Sequence, residues 1–216
     1  MKIGIFTALF GDKTFTESLD IVKAEGIEAV EFGTGGYANT THLPVDKMLE
    51  SKAERDRVIH EVESRGLTIS ALSCHGNPIH PNKEMAKIHH DGFVKTVKLA
   101  GLMGIPCVNG FSGCPGDSPT AINPNWVTCA WPDEYRDILE YQWKEVAIPY
   151  WTEQAALLEE HNVNFAIEMH PGFICFSMRI RYPPTSRRPD SKAATSNSEA
   201  ERRLSTERML TRRLLR

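Results

Sequence analysis

The sequence predicts an α/β fold built on a parallel sheet. Three observations carry this: a strand phrase that recurs at intervals of tens of residues, a helical pattern before each recurrence, and strands whose alternate residues are apolar and polar. The phrases are GIEAV from Gly26, GLTIS from Gly66, GIPCV from Gly104 and NVNFA from Asn162. Each opens on a residue suited to the left-handed position just past a helix, then gives an apolar residue and a short strand.

The elements follow in order. KIGIFT near the N-terminus reads as a buried first strand. Thr14-x-x-Glu17 is a capping box that opens a helix carrying Leu19, Val22 and Ala24. The next strand is AVEFG, with Val30 and Phe32 on one face and Glu31 on the other. Ser51-x-x-Glu54 repeats the capping pattern before a helix with Val58, Ile59 and Val62 on one face. A third helix is expected from about Asn82 to Met103, carrying Ile88, Val94, Val97 and Leu102. Pro132 suits a first-turn position and opens a long helical segment to Leu158, with a kink expected at Pro149, which has no N–H to donate. The last strand lies in NFAIEMH, where Phe165, Ile167 and Met169 form an apolar face and Ala166, Glu168 and His170 the other.

Strands alternating with helices of this length imply right-handed crossovers. A doubly wound sheet and a barrel share that order. The strands choose the barrel, because Glu31 and Glu168 alternate with apolar residues that would lie under helices. The expected fold is therefore α/β of the (β/α)8 TIM-barrel type, truncated after its fifth strand. The domain reading is a partial barrel over residues 1–176 and an atypical basic tail over 177–216.

Composition supports that division. Residues 1–176 carry 14 Lys and Arg against 24 Asp and Glu, and residues 177–216 carry 11 against 4, so a net −10 and a net +7 lie behind the total of −3. The acidic first part argues against phosphate contacts, so nucleic acid is not an expected partner. No apolar run reaches membrane-spanning length, and the N-terminus lacks a signal-peptide pattern. Five cysteines without a C-x-x-C spacing indicate reduced thiols, hence a cytoplasmic chain, and argue against a cysteine zinc site.

Chemistry in such folds sits where strands end and loops begin. Gly33, Gly35 and Gly36 do not make a dinucleotide fingerprint and read as a permissive loop. His80, His89 and His90 read as solvated, and Cys114 as a small loop residue. Glu31 divides evenly between a structural partner and a substrate contact. His75 ends a strand among small residues and favours a site. Glu168 is the strongest candidate, since a carboxylate on an inner barrel face is costly to bury without a cation or proton partner. Asn109 ends the fourth strand.

At these residues the chain resembles the xylose isomerase-like family of TIM barrels, over residues 1 to about 174. The resemblance rests on KIGIFT, VEFGTGGY, ALSCHGNP, GIPCVNGFSGCPG, the Trp-rich segment around Trp126 and Trp131, and FAIEMHPG. It implies a divalent metal (Mn, Mg, Co or Zn) at the barrel mouth, with Glu168 as one ligand and the others on later strands. It implies an isomerase or epimerase acting on a sugar, sugar phosphate or keto-polyol by proton transfer next to a carbonyl. Glu168 and His75 would be catalytic. His170, Glu31, Asn109 and Trp131 would meet the substrate. The partner is then a small carbohydrate, with room for a homo-oligomer. The rival readings are an apurinic-site endonuclease-like hydrolase, or an open barrel fragment that is not an enzyme.

The tail departs from the family pattern. It has no glycine and no valine, and Tyr182 is its single aromatic residue. A change of reading frame near Cys175–Ser177, or a wrong gene model there, is the expectation, with disorder beyond about residue 180. A genuine basic tail, with a helix opened by Ser198 and Glu201, is the rival. Without the later ligands, the 216-residue chain is expected to bind metal poorly and to lack activity.

Overall fold

Among the described residues five strands pair in parallel, and their order in the sheet is their order in the chain. In this computed structural model, residues 2–38 and 40–175 are described; the expectations for residues 177–216 lie outside them. The strands are β1 (Gly4–Phe6), β2 (Ala29–Gly36), β3 (Thr68–His75), β4 (Cys107–Phe111) and β5 (Asn164–Glu168). The helices are α1 (Phe15–Ala24), α2 (Val45–Glu50), α3 (Lys52–Glu63), α4 (Lys83–Met103), α5 (Asp133–Tyr141) and α6 (Ile148–Glu160). A short 3-10 turn, Thr7–Phe10, follows β1. A sequential order without reversal is the barrel progression; a doubly wound sheet would reverse at a switch point.

The helix-ending residues behave as their chemistry requires. Gly26, Gly66, Gly104 and Asn162 all have positive φ, between 54° and 72°. The Thr14 box is complete: its side chain accepts from Glu17 N–H while the Glu17 carboxylate accepts from Thr14 N–H. The Ser51 pattern forms only half a box. Ser51 Oγ accepts from Glu54 N–H at 3.2 Å. Its own N–H is already spent on the Lys47 carbonyl at the end of α2, and the Glu54 carboxylate turns to Arg57 and Lys47.

In β2 to β5 one set of alternate residues is buried beneath the helices. Val30, Phe32, Leu72 and Val108 are fully buried and Phe165 nearly so. Helices cover this face. Phe15 of α1 meets Phe32 at 5.7 Å between ring centroids, while Phe93 of α4 and Trp151 of α6 meet Phe165 at 5.2 and 4.8 Å. Burying such side chains stabilises the fold by about 1.5–3 kcal/mol each. The other face carries Glu31, Ser73, Asn109 and Glu168.

Several expectations need correction. Gly33, Gly35 and Gly36 lie within β2 rather than in a loop. The strand continues there because the backbones crowd: a Cβ on Gly36 would overlap the His75 carbonyl, and one on Gly35 would lie 3.0 Å from Cys74 Sγ. The buried side of α4 is His89, Phe93, Val97, Ala100 and Met103, whereas Ile88 is 63% and Leu102 54% exposed. His89 is thus a core residue, not a solvated one. Among the described residues both of its ring nitrogens lack a hydrogen-bond partner, and burial, with His80 nearby, pushes its pKa down toward the neutral imidazole. The long segment expected after Pro132 runs without a break to Glu160, but its hydrogen bonding changes along the way. A π-helical stretch, Gln142–Ala147, separates α5 from α6, and Pro149 sits in the first turn of α6, where a missing N–H costs least.

Candidate active site at the strand ends

His75 closes β3 and Glu168 closes β5, and the two side chains meet across the intervening β4. Glu168 Oε2 accepts from His75 Nε2 at 2.7 Å, a length suited to a charge-assisted hydrogen bond. The imidazole side chain is 10% exposed and the carboxylate 50%, so one partner is enclosed and the other opens to the mouth. A proton or an electrophile could reach this pair through Glu168.

Strand parity explains the meeting. Phe111 is in register with Glu168, and Asn109 with both Ser73 and Ala166. Side chains two residues apart share a face. Ser73 therefore stands one layer below His75, and Asn109 one layer below Phe111.

Glu31 lies in that lower layer. Its carboxylate accepts from Asn109 Nδ2 at 2.8 Å and from Ser73 Oγ, while Thr7 Oγ1 donates to its backbone carbonyl at 3.1 Å. A half-buried carboxylate with a donor on each oxygen is satisfied where it stands. Cys107 Sγ donates to Asn109 Oδ1 at 3.4 Å, which fixes the amide so that its nitrogen faces Glu31.

His170 follows β5 and is exposed, with Nδ1 donating to the Pro171 carbonyl at 2.6 Å. The chain turns at once. Phe173 N–H bonds the His170 carbonyl at 3.3 Å, with Gly172 at φ 92°, as a type II turn with Pro second and Gly third demands. The turn returns the chain over β4, where Ile174 N–H bonds the Gly113 carbonyl and Cys175 N–H bonds Ser112 Oγ, both at 3.0 Å.

Of the six residues expected from sequence, five thus occupy two adjoining layers: Glu168, His75 and His170 at the mouth, Glu31 and Asn109 beneath. Trp131 is not drawn in. It is 75% exposed on the β4–α5 connection, and no contact among the described residues joins it to the others. Sequence reading missed Ser73, Phe6, Phe111 and Phe173. Counting back by two from His75 finds Ser73. The phenyl rings carry no polar mark, and only the register shows them beside the imidazoles: Phe111 lies 4.7 Å from His75 and 4.9 Å from His170, and Phe6 lies 5.7 Å from His75.

A metal ion needs more than this pair offers. Among the described residues no three His, Cys, Asp or Glu side chains are grouped to hold one. Glu168 and His75 alone do not fit a divalent cation, which takes four or more ligands. Cys114 is buried, with its thiol pushed up to about 11 by desolvation, which suits an inert packing role. A cleft of about 710 Å³ opens between α2 and α4, and none of the expected site residues lines it. No helix of the described residues is long and apolar enough to cross a membrane.

Comparison with known proteins adds to this geometry. The family model described as xylose isomerase-like TIM barrel matches residues 19–182. The uncharacterized protein YfiH of Bacillus subtilis strain 168 is 40% identical over 153 residues, which cover 70% of this chain and 49% of that protein. A candidate xylose isomerase from Rhodospirillum rubrum superposes with a TM-score of 0.53 at 14% identity, covering 80% of this chain and 56% of its own. The IolI protein, solved with a bound zinc atom, gives a TM-score of 0.50 at 14% identity, covering 81% and 54%. At that identity the two structures speak for the fold. The chain spans about half the length of each of these proteins.

Proposed function

The chain belongs to the xylose isomerase-like TIM-barrel family, and from that premise we propose that it supplies half of the active site of a sugar isomerase or epimerase. The substrate class is a sugar, sugar phosphate or keto-polyol, and the reaction moves a proton next to a carbonyl. The observation that carries this reading is the 2.7 Å bond between His75 Nε2 and Glu168 Oε2 at the mouth. Its carboxylate is open enough to meet a substrate and its imidazole is enclosed enough to be held in place.

In this reading Glu168 takes or returns the proton at its outer oxygen, while His75 Nε2–H steadies the charge on the other oxygen. His170 orients a substrate oxygen from the rim. Asn109 and Glu31 form the floor, where the carboxylate keeps spare lone pairs for a substrate hydroxyl. Trp131 enters only as an outer wall on its loop. Divalent-metal dependence is part of the proposal, supported by the zinc atom in the IolI structure. Glu168 would be the donor this chain contributes, and the remaining ligands would have to lie beyond the described residues.

The test joins residues 1–170 to the C-terminal half of the 40%-identical Bacillus subtilis relative, so that a full barrel is assembled. Solvent deuterium should enter one or more of a panel of ketoses in the presence of Mn²⁺, and Glu168→Gln should abolish the exchange. The 216-residue chain, titrated with Mn²⁺ in a calorimeter, should give no stoichiometric binding. Exchange that survives Glu168→Gln would overturn the assignment.

A further inference from the structure

We propose that Phe111 is a positioning residue, which sets the ring planes of His75 and His170 at the mouth. The inference rests on the reading of His75 and Glu168 as the working pair.

An imidazole has two torsions, and the second is broad and roughly two-fold. Among the described residues His75 makes one side-chain hydrogen bond, to Glu168. A single bond fixes where Nε2 points but leaves the ring free to rock about that axis. The ring plane must come from packing. Phe111 supplies it at 4.7 Å with an interplanar angle of 54°, and Phe6 contributes a looser contact at 5.7 Å. His170 is in the same position, since its ring bond goes to the neighbouring Pro171 carbonyl and its packing goes to Phe111 at 4.9 Å.

Phe111 is itself fixed, which a positioning residue must be. Phe173 stacks on it at 4.1 Å with rings 24° apart. The turn at Pro171–Gly172 and the bonds of Ile174 to Gly113 and Cys175 to Ser112 clamp Phe173 there. The phenyl is thus gripped by the segment after β5 and by its own strand.

Core filling is a poor alternative account. The core aromatics Phe32, Phe93 and Phe165 are 0–2% exposed and face the helices. Phe111 is only partly buried, on the opposite face, and its ring neighbours are the two imidazoles and Phe173. A leucine would keep the site apolar. It could not present a flat face to both rings.

The experiment uses the full 216-residue chain and requires no turnover. The His75 Nε2 proton, held by Glu168, should appear in the NMR spectrum as a downfield imidazole N–H resonance protected from exchange with water. Phe111→Leu should lose that resonance to rapid exchange, and Phe111→Tyr should restore it, with backbone amide spectra unchanged in both. Should Phe111→Leu lose the native spectrum, Phe173→Leu replaces it: this variant keeps the Phe111 ring, removes the stack behind it, and must accelerate the exchange. Wild-type protection that persists in Phe111→Leu overturns the proposal. So does a tyrosine variant that behaves like leucine, or a wild-type chain with no protected His75 N–H. Deuterium incorporation by the assembled barrel is read separately, so failure of the proposed activity and failure of the Phe111 assignment are distinguishable.

Discussion

Glu31 and Phe32 are neighbours on β2, yet they occupy opposite kinds of surroundings. Phe32 is fully buried beneath α1, where it touches Phe15. Glu31 points to the other face and is held by Ser73 and Asn109 from the next two strands. The same contrast runs along the sheet, with Val30, Leu72, Val108 and Phe165 outside and Ser73, Asn109 and Glu168 inside. One face is packed by shape and the other is joined by hydrogen bonds. The difference separates packing from hydrogen bonding in this fold, through alternate residues of the same strands.

The contrast is open to direct attack. Phe32→Ala should have the largest effect, a loss of about 3–5 kcal/mol in urea unfolding, because a fully buried phenyl leaves a cavity behind. A cost under about 1 kcal/mol would mean that the helix-covered face is not close-packed. Glu31→Ala comes next, at about 1–3 kcal/mol, since Ser73 and Asn109 lose their acceptor in a half-enclosed layer. A neutral result there would show that water satisfies both donors, and would make the inner layer a solvent-filled one. Glu168→Gln should be smallest, within about 0.5 kcal/mol, because its carboxylate is half exposed and the amide oxygen can still accept from His75. A cost as large as that of Glu31→Ala would recast Glu168 as a structural residue.

What the sequence reveals here is what depends on short spans. Strand parity alone puts Glu31 and Glu168 on the inner face. The left-handed residues Gly26, Gly66, Gly104 and Asn162 marked four helix ends, and Thr14 marked a helix start. Each of these signals is complete within four or five residues. The misses needed longer reach. His89 looked solvated because a histidine in a polar stretch gives no hint of a neighbour; its burial depends on Tyr37, whose ring lies 4.8 Å away, and on the missing Cβ of Gly76. Ile88 and Leu102 looked like core because α4 is apolar on more than one side, and only the sheet decides which side is covered. The half-formed Ser51 box failed because α2, a six-residue helix absent from the sequence reading, had already claimed its N–H. The bonds from Glu31 to Ser73 and Asn109 join residues 42 and 78 positions apart, and the register that aligns them is set by three strands at once.

The sequential order of the sheet has a kinetic side. Gly4 pairs with Ala29, Ala29 with Thr68, Leu72 with Val108 and Cys107 with Asn164, so each described strand after β1 finds a partner a few tens of residues upstream. Closing loops of that size differs in entropic cost by only about 0.6 kcal/mol per doubling of length. Among the described residues, each of these pairings is complete once its second strand has been made. During translation each emerging βα unit therefore meets a template already made, and the growing edge of one strand is the docking surface for the next. Such a chain can assemble vectorially from its N-terminus, with contact order kept low for a parallel sheet.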